Sequence, residues 1–314
     1  MDVNRLSREN VIKINDLKKT YGSEDVLVGI SFVVKKGEIF SLLGPDGSGK
    51  TSTIEILVGL SKPTEGEISI LNYNIKSSIE MREIKKLIGF LPQEFRTHDN
   101  LTVKENIQFW GKMYDNMINT QDILSTLHLE DKANTRYKHL TPSLKKRVGL
   151  AIAFVNDPQI VFLDEPTAGL DQFAKKEVWD IIKQFNKEGK TIFITTNDAI
   201  EPQAIADRVA IIHHGLLKDI GTPNELIDRF SSGNKIIIRS PTEQARLNAI
   251  DILQSACPLD ILNDEIIISS EEITLLEILE KLDRAKVRYS DIITKKPTLN
   301  DVFITLTGEA LDKK

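Results

Sequence analysis

The residues whose types and spacing suggest chemistry are Gly44-Pro45-Asp46-Gly47-Ser48-Gly49-Lys50-Thr51, which fit the pattern G-x-x-x-x-G-K-[ST]. Glycine lacks a Cβ, so a loop of this kind can turn its backbone N–H groups inward against phosphate oxygens. Lys50 then supplies a mobile cation for the β- and γ-phosphates, and the Thr51 hydroxyl a ligand for Mg2+, with Ser52 next in line. A phosphate site of this type needs an acidic partner for the metal, and Ile160-Val161-Phe162-Leu163-Asp164-Glu165 offers one. Four apolar residues make a buried strand, and Asp164 emerges at its C-terminal end, where ligands of open sheets collect. Glu165 beside it is placed to polarise an attacking water as a general base.

These residues need a strand before the loop and a helix after it. Ile39–Leu43 is strand-like and runs directly into Gly44, and Ile54, Leu57 and Val58 follow at one-face helical spacing. Strand patterns recur at Val26–Val34, Glu67–Leu71, Ile88–Leu91, Ile160–Leu163, Thr191–Thr195 and Val209–His213. Between about residues 94 and 147 the chain turns more polar, with Val103, Ile107 and Trp110 at helical spacing, so this stretch reads as a helical insertion. Strands alternating with helices predict an α/β fold with a mostly parallel core sheet. The expected organisation is a tail over residues 1–10, a nucleotide-binding domain over 11–230 and a small α/β domain over 231–314, with Ser231-Ser232-Gly233 as the linker.

With these motifs in order, residues 11 to 225 resemble the ATP-binding subunits of ABC transporters. The resemblance implies a P-loop fold with an antiparallel β subdomain, and ATP with Mg2+ as cofactors. Tyr21, in Leu17-Lys18-Lys19-Thr20-Tyr21-Gly22, resembles the aromatic that stacks on adenine. Gln93 after Leu91-Pro92 resembles the glutamine that touches Mg2+ and the attacking water and links to the membrane partner. Ala168-Gly169-Leu170-Asp171 resembles the family's D-loop, and the helical insertion sits where the family places its transporter-contacting subdomain. The C-terminal part, through Lys296-Pro297-Thr298-Leu299-Asn300-Asp301-Val302-Phe303, is similar to the appendage of exporters of the daunorubicin-resistance type. The implied partners are an integral-membrane permease subunit and a second ATP-binding subunit, identical or different.

The chain departs from the family pattern at three places. Where the family carries Leu-Ser-Gly-Gly-Gln, this sequence reads Leu140-Thr141-Pro142-Ser143-Leu144. Pro142 has no N–H and Leu144 cannot hydrogen-bond, which weakens a clamp on the γ-phosphate held by the opposite subunit. Asn197 stands where a histidine contacts the γ-phosphate, and it cannot carry a positive charge. Asp46 replaces a frequent asparagine. The resulting expectation is retained ATP binding with slow hydrolysis, Glu165, Gln93 and Asn197 forming the catalytic set. The competing reading is a nucleotide-binding regulatory or assembly module with little turnover.

The bulk numbers restrict other classes. With 41 basic and 46 acidic residues the formal charge is −5, which argues against a surface built for nucleic acid. Cys257 is the one cysteine, so an intramolecular disulfide is impossible. No stretch approaches the roughly 20 apolar residues of a membrane-spanning helix. The expectation is therefore a cytoplasmic protein that reaches the inner face of the membrane through its partner.

Overall fold

The computed structural model describes residues 9–230, 235–262, 265–269 and 273–311. The expected linker Ser231-Ser232-Gly233 lies outside the described residues, as does the expected tail up to Arg8; Asn10 already opens the first strand. The chain divides into two compact units, one running to Pro223 and taking in Ala310 and Leu311, the other Asn224–Glu309.

The first unit is built on a six-stranded sheet. Its strands are β3 (Ile39–Leu43), β6 (Ile88–Leu91), β7 (Ile160–Asp164), β8 (Thr191–Thr196), β9 (Arg208–His213) and β10 (Leu216–Gly221), in the order β10-β9-β3-β8-β7-β6. All neighbours pair in parallel except β10 with β9. Every residue of β3, β7 and β8 is buried, as strands covered on both faces require. Their side chains alternate between two cores. Ile39, Val161, Leu163, Ile192 and Ile194 face one, and Phe40, Leu42, Phe162 and Phe193 the other.

The first core is capped by the helical layer: α3 (Val103–Gly111), α4 (Thr120–Thr126), α5 (Pro142–Phe154), α6 (Gln172–Lys187) and α7 (Ile200–Ile205). The second lies under an antiparallel sheet, β2-β1-β4-β5, made of β1 (Asn10–Tyr21), β2 (Glu24–Lys35), β4 (Glu65–Ile70) and β5 (Tyr73–Asn74), with α1 (Lys50–Leu57) and α2 (Ser78–Leu87). Phe32 of β2 stacks on Phe40 of β3 with ring centroids 5.2 Å apart, joining the two sheets across that core. No helix among the described residues is long and apolar enough to cross a membrane.

The second unit contains α8 (Pro223–Phe230) from Asn224 onward. It also holds an antiparallel sheet of order β12-β13-β11-β14, from β11 (Lys235–Arg239), β12 (Leu259–Leu262), β13 (Glu265–Ser269) and β14 (Asp291–Lys295), with α9 (Glu243–Leu253), α10 (Leu275–Arg284) and α11 (Leu299–Thr307). Ile236, Ile238, Ala249, Leu253, Ile278 and Leu282 form its core. β12 is short and carries Asp260 between apolar residues, which hid it from the periodicity. The start of α11 shows why Lys296–Phe303 folds as it does: the Thr298 N–H donates to the Asp301 carboxylate at 2.8 Å, closing the first turn.

Candidate functional site

The C-terminal ends of β3, β7 and β8 lie side by side, so the loops that follow them meet. After β3 the chain turns at Gly44, whose N–H donates to Thr196 O of β8 at 3.2 Å. Gly47 and Gly49 take positive φ values of 77° and 102°, a left-handed backbone that favours glycine. A Cβ at Gly49 would also lie 2.5 Å from Leu27 Cδ2. In this shape the N–H groups of Gly47, Gly49, Lys50 and Thr51 make no hydrogen bond within the described residues, because the loop and the first turn of α1 leave them without acceptors. A row of backbone donors at a helix N-terminus is an anion cradle, and the donor set fits a di- or triphosphate.

Lys50 is buried, and its ammonium donates to the carbonyls of Gly44 at 2.8 Å and Pro45 at 3.0 Å. It also lies 3.6 Å from Glu165 Oε1 and 3.8 Å from Asp46 Oδ1. Burial pushes the Lys50 ammonium below the usual lysine range, and the carboxylates of Glu165, Asp46 and Asp164 pull it back.

Asp164 is buried at the end of β7, accepts a short hydrogen bond from Thr195 Oγ1, and is further hydrogen-bonded to Thr51. Burial raises its carboxyl, and those hydrogen bonds and Lys50 oppose the rise. The Thr51–Asp164 contact joins the hydroxyl and carboxylate that a Mg2+ ion on a bound phosphate would need. Glu165 is also buried, and its backbone sits at φ 46°, an unfavourable conformation for a glutamate, held by a hydrogen bond from its N–H to Thr195 O at 3.0 Å. Burial lifts the Glu165 carboxyl above the ordinary glutamate range, against the pull of Lys50. Gln93 follows β6, and its Nε2 donates to Glu165 Oε2 at 2.9 Å. Lys50, Thr51, Gln93, Asp164 and Glu165 are thus brought together.

The remaining sequence-selected residues lie around this centre. Pro45 contributes its carbonyl to Lys50, and Asp46 stands at the loop's crown, 84% exposed. Asn197 Nδ2 donates to Asp46 Oδ1 at 3.2 Å, so two departures from the family pattern touch each other. Ser48 is buried with its Oγ unpartnered, and Ser52 is half-buried in α1. Tyr21, at the end of β1, is 45% exposed, with the Lys19 ammonium 4.4 Å from its ring centroid. Pro142 is the first residue of α5, and the Thr141 hydroxyl accepts from the Leu144 N–H at 3.4 Å. The Ser143 N–H makes no hydrogen bond within the described residues.

Two residues of the site were not singled out from the sequence. Lys146 of α5 donates to the carbonyls of Gln93 at 3.3 Å and Glu165 at 3.2 Å, riveting both loops to one helix. In the sequence it belongs to the run Lys145-Lys146-Arg147, which reads as a solvated face. Glu201 of α7 is fully buried and accepts from Thr167 Oγ1 at 2.8 Å and Trp179 Nε1 at 3.0 Å, tying the loop after Glu165 to α6. Its carboxyl is raised by burial. No local pattern marks it, because its partners are distant in sequence.

A family model described as "ABC transporter" matches residues 27–168. The linearmycin resistance ATP-binding protein LnrL of Bacillus subtilis is 30% identical over 311 residues, covering 96% of this chain and 99% of that protein. The chain belongs to the ABC transporter ATP-binding proteins. The Nod factor export ATP-binding protein I of Rhizobium etli is 32% identical over 312 residues, covering 96% of this chain and 95% of its own. Among solved structures, a dimeric post-hydrolysis state of an ATP-binding cassette bound to ADP and Pi superposes with a TM-score of 0.61 at 28% identity, covering 67% of this chain and 98% of that one. The cassette's P-loop fold, with its mostly parallel sheet and its antiparallel sheet, is the fold of these ATPases.

Proposed function

We propose that this cassette binds ATP with Mg2+ at the Lys50 site, hydrolyses it slowly, and couples the cycle to a separate membrane permease subunit of an exporter. The observation that carries the reading is the convergence of Gln93 and Lys50 on one buried carboxylate, Glu165. Bound Mg2+ would be held by Thr51, Gln93 and Asp164, where it would neutralise phosphate charge. The loop N–H groups and Lys50 orient the phosphates, Tyr21 offers its ring to adenine, and Glu165 takes the proton of the attacking water.

A groove of about 850 Å³ supports the coupling role. Leu60, Phe90, Pro92, Phe95, Trp110 and Tyr114 line it, so it opens between the edge strand β6 and the helical insertion, directly beside Gln93. With Lys85, Glu94 and Arg96 also in its lining, a groove of this kind fits a short amphipathic helix of a partner. Export as the direction of transport rests on likeness to relatives whose names specify Nod factor export and linearmycin resistance. The cassette would act at the cytoplasmic face, paired with a second ATP-binding subunit, identical or different.

Slow turnover follows from Asn197, which meets the γ-phosphate without a positive charge, and from Pro142 and Leu144, which thin out the donors offered to the partner's nucleotide. Removing one transition-state donor costs on the order of 10²–10³ in rate. The same thinned turn favours the second reading, a regulatory module that binds ATP without turning it over. Steady-state ATPase assays of the purified cassette and of Glu165→Gln test the proposal. A rate well below that of cassettes with an intact signature, falling a further 10²-fold or more in the variant, is expected. Fast hydrolysis indifferent to Glu165→Gln would sink it.

A further inference from the structure

We propose that Asp46 sets the cassette's preference between nucleotides, holding down affinity for a triphosphate relative to a diphosphate by competing for the groups that bind the γ-phosphate. The inference rests on the reading of Lys50 as a phosphate ligand. Asp46 Oδ1 lies 3.8 Å from Lys50 Nζ and accepts from Asn197 Nδ2 at 3.2 Å. Lys50 has three N–H donors, and the carbonyls of Gly44 and Pro45 take two of them. The remaining direction faces the carboxylates of Asp46 and Glu165. A terminal phosphate oxygen that reaches Lys50 must share it with both.

Glu165 is buried and belongs to the catalytic centre, whereas Asp46 is exposed at the loop's crown and engages Lys50 and Asn197 together. Around the Lys50 cation stand three carboxylates, Asp46, Asp164 and Glu165. A γ-phosphate adds negative charge on the side where Asp46 lies. A β-phosphate would be held by the unpartnered loop N–H groups, farther from that carboxylate. Like charges at this range repel, but water around an exposed aspartate damps the effect, so a change of about fivefold in affinity is the scale to expect. The Asn197 amide can donate to a carboxamide oxygen as it does to the Asp46 carboxylate, though less strongly, so the charge of Asp46 can be removed while the contact keeps its shape.

The variant Asp46→Asn therefore isolates charge from shape. Equilibrium binding of ADP and of a β,γ-imido analogue of ATP, each with Mg2+, is measured on the full-length wild-type chain and on the variant. The analogue should bind the variant about fivefold tighter with ADP affected less than about twofold, and the difference should shrink in 0.5 M salt. Equal gains for both nucleotides would overturn the proposal, since the charge would then not be read at the γ-phosphate. Weaker binding of the analogue would overturn it as well, making Asp46 a ligand of the metal–nucleotide complex. A wild-type chain that binds neither nucleotide would overturn the phosphate-site reading itself, and the inference with it.

Discussion

At the scale of single residues, the site works by crowding opposite charges into a buried space and fixing them with backbone contacts. Glu165 is held at φ 46° by Thr195 O, between Lys50 and Gln93, so its direction is set by the sheet and not by its own rotamer preference. On the proposed function, Asn197 is the residue that limits turnover. Replacing it with histidine should raise ATP turnover by at least about tenfold, toward the 10²–10³ that one transition-state donor is worth, read from steady-state rates at saturating ATP. Glu201 gives a pH prediction. Its folded carboxyl is raised by burial, so its contribution to stability is full below the ordinary glutamate range and is lost as pH rises through the raised value. The melting temperature of Glu201→Gln should therefore gain on wild type as pH increases; parallel curves would contradict this. Lys50, Asp164 and Glu165 were legible in the sequence because their spacing to a strand end fixes their place. Lys146 and Glu201 were not, since one binds carbonyls of distant loops and the other is a buried carboxyl whose donors come from other elements.

At the scale of elements, the candidate site is assembled from four strand ends, those of β3, β6, β7 and β8, and the starts of α1 and α5. β3, β7 and β8 were readable as short runs rich in apolar and β-branched residues because both of their faces are covered. β12 was not, since a short edge strand has little pattern to show. The turn into α1 depends on Gly49, where φ is 102° and a Cβ would strike Leu27. Gly49→Ala should cost about 1–3 kcal/mol in chemical denaturation and abolish nucleotide binding. The turn into α5 has the opposite character, with Pro142 in a position proline favours and Thr141 as its cap. Its local stability is good while its donors toward a partner are few. Restoring them with Pro142→Gly and Leu144→Gln should speed hydrolysis at the partner's nucleotide while leaving this chain's own affinity for ATP unchanged, a split that mixed dimers carrying the changes in one subunit would reveal.

At the scale of the whole molecule, the groove beside β6 lies against the loop that carries Gln93, and the proposed coupling runs through that loop. Gln93 lies next to Pro92 on its wall and touches Glu165 on the other side, so a helix pressed into the groove and a phosphate at Lys50 act on one loop. Leu60 is 65% exposed at its rim, and Leu60→Glu should abolish co-purification with the permease subunit while leaving nucleotide binding and thermal stability intact. The family could be read from the order of the motifs. The groove could not, because it is formed by residues of α2, β6, α3 and α5 and of the segments that follow α1, β6 and α3, which only folding brings together. The most direct test of the account is ATP turnover by the cassette assembled with its membrane subunit. The account predicts slow, measurable hydrolysis that falls by 10²-fold or more with Glu165→Gln; tight ATP binding with no turnover in that assembly would contradict it.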